Sequence, residues 1–173
     1  MKNVVALFIS LTSLFIMPCF ASDGVINFSG KITDQSCEID TQASTLNVNL
    51  GSYSISQFGG SVGVTSLPIP FTIKLKNCPN TEEILRFNVA LSGVSEPTNP
   101  DYLKINDGGA QGVAIVIKDK DGAVVPINKA SPTVYDIPDV EMELKFTAYY
   151  ISTSSLVKPG DANSTTDITL VYR

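Results

Sequence analysis

Apolar and polar residues alternate with a period of two along most of this chain, the spacing of a strand that buries one face. Thr45-Leu46-Asn47-Val48-Asn49-Leu50 alternates until Gly51 stops it. Leu67, Ile69, Phe71, Ile73 and Leu75 share one face, while Pro68 and Pro70 fall on the other phase, which predicts an edge strand or an irregular start. Phe87-Asn88-Val89-Ala90-Leu91 repeats the pattern, Met142-Glu143-Leu144-Lys145-Phe146-Thr147-Ala148-Tyr149-Tyr150 is its clearest instance, and Ile168-Thr169-Leu170-Val171-Tyr172 is the last. Val113-Ala114-Ile115-Val116-Ile117 is continuously apolar, and an Asp121-Gly122 turn predicts a hairpin to Ala123-Val124-Val125.

Between these runs, residues 57–65, 96–112 and 159–166 are rich in Gly, Pro, Ser, Asn and Asp. About seven short strands with such connections predict an all-β sandwich of one domain. No helical stripe interrupts the pattern except in the first residues. There Lys2 precedes a mostly apolar run, residues 4–17, and Pro18-Cys19-Phe20-Ala21 offers small residues for a cut after Ala21. Residues 1–21 therefore read as a cleaved secretory signal, too short and hydroxylated for a membrane span. A lipoprotein cut before Cys19 fits less well, because Pro18 precedes it.

Cleavage changes the cysteine count. Cys19 leaves with the signal, and the remaining pair, Cys37 and Cys78, in an exported chain predicts a disulfide rather than two buried thiols. Such a bridge closes a loop worth about 4 kcal/mol on the chain-entropy estimate.

Composition narrows the chemistry. Hydrophobic residues at 43% and charged residues at 17% exclude a disordered chain. A net charge of −5 argues against a nucleic-acid partner, which needs a basic stripe. With no His, every Ser/His or Cys/His dyad and most zinc sites are excluded. Asp119-Lys120-Asp121-Gly122 lacks the third acid and terminal Glu of a calcium loop and reads as a turn. Glu141 and Glu143 share a strand face opposite Met142 and Leu144, which reads as a solvated face rather than a carboxylate pair. No catalytic, metal or cofactor site is expected.

The ends of the chain after the signal are more informative. Ile26, Phe28 and Ile32 form a period-2 stripe interrupted by Gly30, and the final strand runs to the penultimate Tyr172. Gly30 stands seven positions before Cys37. Phe71-x-Ile73-x-Leu75-x-x-Cys78 and Phe146-x-Ala148-x-Tyr150 follow, then Pro159-Gly160-Asp161-Ala162-Asn163 leads to Tyr172. In this order and spacing the chain resembles a pilin of the bacterial chaperone–usher pathway, close to the type 1 fimbrial major subunits.

The resemblance implies an incomplete immunoglobulin-like sandwich, residues 34–173, that lacks its seventh strand and is completed by a donated one. It implies that residues 22–33 are a donor extension with Ile26, Phe28, Gly30 and Ile32 facing a neighbour's groove. Gly160, Ile168, Leu170 and Tyr172 would line the acceptor groove or its edge. The implied partners are a periplasmic chaperone, an outer-membrane usher and neighbouring pilins joined head to tail. The implied place is a surface fimbrium serving adhesion. A minor adaptor or terminating subunit shares this fold and length; a two-domain tip adhesin would need an additional N-terminal lectin domain. A secreted carboxylate-dependent hydrolase is the remote alternative.

Overall fold

Among the described residues, nine strands in two antiparallel sheets carry almost every alternating stretch. The structure is a computed structural model that describes residues 27–29, 36–79 and 86–173. Residues up to Thr33 and residues from Asp34 onward form separate units. In the first unit only residues 27–29 are described, so the signal and the positions Ile26, Gly30 and Ile32 lie outside the described residues.

The second unit contains β1 (Glu38–Ile39), a 3-10 turn (Ile55–Phe58), β2 (Ile69–Lys76), β3 (Arg86–Ser92) and β4 (Ser95–Glu96). β5 (Asn99–Lys104), β6 (Val113–Asp119), β7 (Ala130–Asp136), β8 (Met142–Ser152) and β9 (Asp167–Tyr172) follow. One sheet has the order β1-β2-β8-β6-β5-β4, the other β7-β3-β9. The inward phases predicted from sequence fill the space between them: Ile73 and Leu75 of β2, Phe87, Val89 and Leu91 of β3, Leu144 and Phe146 of β8 are all buried. Phe71 stacks on Phe146 at 5.3 Å and Phe87 on Tyr135 at 5.5 Å. β6, the continuously apolar run, is buried on both faces.

Details of β2 explain its prolines. β1 covers only Leu75 and Lys76, and Thr45 N–H reaches Thr72 O, so Pro70 sits where β2 has a free flank. Cys37, just before β1, is disulfide-bonded to Cys78, just after β2.

Two readings of the sequence need amending. Residues 45–50 are not a paired strand: their alternation is real, from exposed Leu46 through half-buried Val48 to buried Leu50, but after Thr45 no ladder follows. The Asp121-Gly122 hairpin is present in reduced form, with one bridge between Lys118 and Val124. Asp119 accepts from the N–H groups of Asp121 and Ala123, so the acidic cluster serves its own turn. Glu143 pairs across strands with Lys74 at 3.1 Å.

Strands β4, β5 and β7 arise in stretches whose pattern predicted nothing. β5 buries only Leu103 and carries Pro100; β7 buries Ser131 and Tyr135 and carries Pro132. At Pro132 the register of β3 against β7 slips between Asn88 and Ala90. The buried Asn88 side chain bridges the slip, donating to Ser131 O at 2.8 Å and Thr133 O at 2.9 Å.

Candidate functional site

β9 has one partner. It pairs with β3 through the register Phe87↔Tyr172 to Ser92↔Asp167, and among the described residues no strand pairs with its other edge. Arg173 N–H donates to Arg86 O, so alternation turns the backbone groups of 169 and 171 toward β3 as well. Those of Ile168, Leu170 and Tyr172 face the open edge. The same three side chains are half-buried, whereas Asp167, Thr169 and Val171 are exposed. β9 thus offers unpaired hydrogen-bonding groups and an incompletely covered apolar face on the same residues.

The opposite wall of this opening is the unladdered segment 45–50. Between them lies a groove of about 500 Å³ whose floor includes Phe71, Ile73, Leu91, Ile117 and Phe146, with Ile168 on its β9 side. A second depression of about 490 Å³, bordered by Tyr53, Phe58, Tyr150 and Gly160, adjoins it. Val48, Asn49, Leu50, Ile115 and Ser164 line both, so the two form one trough. Its length follows β9 upstream into residues 157–164.

Each end of the trough is built by a specific contact. At the β9 end the Tyr172 hydroxyl accepts from Cys37 N–H at 2.6 Å, tying the last strand to the disulfide. Burial holds the Tyr172 phenol above its ordinary pKa, partly offset by that bond. At the other end residues 158–163 run along 106–111: Ala110 N–H donates to Asp161 O, Asn106 N–H to Asn163 O, and Lys158 and Gln111 exchange bonds. Gly160 stands at a close approach, where a Cβ would lie 2.6 Å from Ala110 N and 2.7 Å from Gly109 C, and Gly109 opposite it is tighter still against Asp161 O. Tyr150 closes the floor there, its hydroxyl donating to Ala162 O at 2.9 Å and its ring meeting Tyr53 edge-on at 6.0 Å. Burial, then Tyr53, raises the Tyr150 pKa.

Of the residues expected at the groove, Gly160 and Ile168 line the trough, whereas Leu170 and Tyr172 continue β9 beyond its lining toward the Cys37–Cys78 bridge. Of the donor residues only Phe28 is described, and its side chain is 92% exposed. Sequence reasoning missed the facing wall at 45–50 as a wall, Gly109 as the counterpart of Gly160, and Tyr150 as a floor residue. The alternation of 45–50 was a signal for all but its partner.

A family model described as fimbrial protein matches residues 26–173. The chain belongs to the fimbrial proteins. It is 34% identical over 166 residues to the probable major fimbrial subunit LpfA of Escherichia coli O157:H7, covering 95% of this chain and 92% of that one. Among solved structures it is similar to an antigen and type I fimbria protein of Burkholderia pseudomallei, with 38% identity, a TM-score of 0.60, and coverage of 86% and 97% of the two chains. A subunit in the structure of a chaperone–usher pilus shares the fold at 24% identity and a TM-score of 0.65, over 88% and 96%. This fimbrial protein is thus a structural subunit with the chaperone–usher pilin fold. It belongs to polymers of pilins on the cell surface, which it reaches through the periplasm.

Proposed function

We propose that this fimbrial subunit polymerises by donor-strand exchange: its trough takes the N-terminal strand of the next subunit, and its own residues 22–33 fill the trough of the previous one. The observation that carries this reading is the combination on β9 of a backbone edge unpaired among the described residues and a half-covered apolar face beside an apolar-floored groove. A strand added there makes main-chain bonds to Ile168, Leu170 and Tyr172 and buries alternate side chains, which is β-augmentation. Ile26, Phe28 and Ile32 supply three apolar plugs at ~1.5–3 kcal/mol each, roughly 5–9 kcal/mol before ladder bonds and ordering costs. Gly30 meets the trough where no side chain fits. Before assembly the trough needs temporary cover, because an open edge aggregates; a periplasmic chaperone strand provides it and an outer-membrane usher hosts the exchange. The reading assigns the chain no catalytic step.

Topology supports an antiparallel donor. Cys37, where the extension joins the body, lies at the Tyr172 end of β9. A head-to-tail polymer needs the next body at the opposite end, near residues 157–164, so the donor's Ile32 lies there and its first residues near Tyr172.

Gly30→Leu tests the reading. The side chain must clash or shift the strand, and a one-residue slip would turn Ile26, Phe28 and Ile32 outward. The variant is expected to fold and be captured by chaperone but to form no fibres, while Ser29→Leu, on the outward phase, assembles. Normal fibres from Gly30→Leu in electron micrographs would overturn the proposal.

A further inference from the structure

Exposed apolar side chains stand at both ends of the body. β8 pairs Met142 with Leu75 at the disulfide end and runs 11 residues to Ser152, roughly 35 Å at ~3.3 Å per residue. At that far end two loops lie on each other: Gly63 N–H donates to Ser152 O, Ser152 N–H to Val64 O, and the Ser152 hydroxyl to Ser61 O. They present Val62 at 65% exposure and Leu156 at 68%. Residues 53–66 and 151–160 together carry one charge, Lys158, whose backbone borders the trough mouth through Gln111. The disulfide end is opposite in character. Val140 O accepts from Cys78 N–H, which sets exposed Val140 beside the Cys37–Cys78 bridge, between Asp139 and Glu141.

A tether brings these two ends together. This step rests on the donor-strand reading, in which Ile32 occupies the far part of the trough. From Ile32 to Cys37 there are five residue steps, at most about 18 Å of extended chain. That keeps Cys37 of the incoming body within about 18 Å of the far part of the trough and so brings its disulfide end to the side where these loops lie.

We infer that the loop end carrying Val62, Leu156 and Lys158 is the seat for the Asp139-Val140-Glu141 corner of a second copy of this chain, the copy whose N-terminal strand lies in the trough. Apolar Val140 meets Val62 and Leu156, and the two acids flank Lys158, so charge as well as shape sets the rotation of one subunit on the next. The contact is small and adds stiffness and angle to a junction that the donated strand holds. Because a corner meets an unlike loop end, it propagates head to tail without closing.

Cross-linking in assembled fibres reads the contact directly. Full-length subunit carrying Val140→Cys and Leu156→Cys, polymerised in cells and treated with a short bismaleimide, is expected to give a ladder of covalent multimers after boiling in detergent. Val134→Cys with Leu156→Cys, which places one thiol on the outer face of β7, gives at least several-fold less. Normal fibres with no more ladder than this control overturn the docking surface and leave the donor strand standing, since Gly30→Leu judges that strand by assembly alone. Should the cysteine chains fail to accumulate, charge reversal answers the same question. Lys158→Glu is expected to lower the persistence length of fibres in electron micrographs several-fold and Glu141→Lys in the same chain to restore it; unchanged persistence length in Lys158→Glu overturns the inference.

Discussion

β8 and β9 carry the same kind of sequence and meet different fates. Both alternate polar with apolar, and both turn tyrosines and aliphatic residues inward. β8 has a partner on each edge, and its inward Leu144, Phe146, Ala148 and Tyr150 are all buried. Among the described residues β9 has a partner on one edge, and its inward Ile168, Leu170 and Tyr172 are only half covered. Alternation states which face wants burial; it does not state that the chain itself supplies the cover. On the donor-strand reading proposed above, the shortfall on β9 is the function, because the missing cover would come from another chain.

The largest expected difference between the two strands comes from placing a charge on each. Leu144→Asp puts an unpaired carboxylate in a fully buried site, at a cost of several kcal/mol, and is expected to leave no folded subunit in the periplasm. Leu170→Asp is expected to spare the fold of the body but abolish strand capture, read as loss of chaperone co-purification. Wild-type co-purification from Leu170→Asp would show that β9 is not the receiving edge and would erase the distinction.

A smaller effect follows from the disulfide. With its partners 41 residues apart, replacing both Cys37 and Cys78 by Ser is expected to lower stability by about 4 kcal/mol in chemical denaturation. The loss sharpens the comparison by hydrogen exchange. Tyr172 is anchored to Cys37 N–H, so β9 amides should gain exchange more than β8 amides. Equal acceleration in both strands would mean that the anchor contributes nothing to β9.

The smallest effect is alkaline. Tyr150 of β8 and Tyr172 of β9 both hold their protons above the ordinary phenolic value, chiefly because burial disfavours phenolate. A raised folded value means that the stability it contributes is complete below about pH 10 and is lost as pH rises through the folded values. The melting temperature should therefore fall above about pH 10. Filling the trough should move Tyr172 further upward than Tyr150, measurable as phenolate absorbance in subunit with and without a bound donor strand.

Much of the fold was legible in the chain. Strands β2, β3, β6, β8 and β9 follow from period and turn residues, and the disulfide from cysteine parity after export. Strands β4, β5 and β7 were not legible, for a physical reason. They are polar and proline-bearing, and tertiary pairing holds them where local propensity does not. Asn88 illustrates the limit, since its buried amide finds two carbonyls only because β7 slips at Pro132. Within the site, Gly160 was singled out by its place before the last strand. Its cause, the close approach to Gly109 and Ala110, belongs to a loop with no pattern of its own.

By itself the sequence determined that this protein is exported, all-β, stapled by Cys37 and Cys78, and without the histidine that Ser/His and Cys/His dyads need. It also determined which face of β2, β3, β8 and β9 is apolar, because a two-residue period is a local property of the chain. Only the tertiary structure decided which of those faces is left uncovered. It set residues 45–50 opposite β9, joined two depressions into one trough, and placed Val62 and Leu156 at the end away from Val140. These are relations between segments far apart in sequence, and such relations exist only once the two sheets have packed.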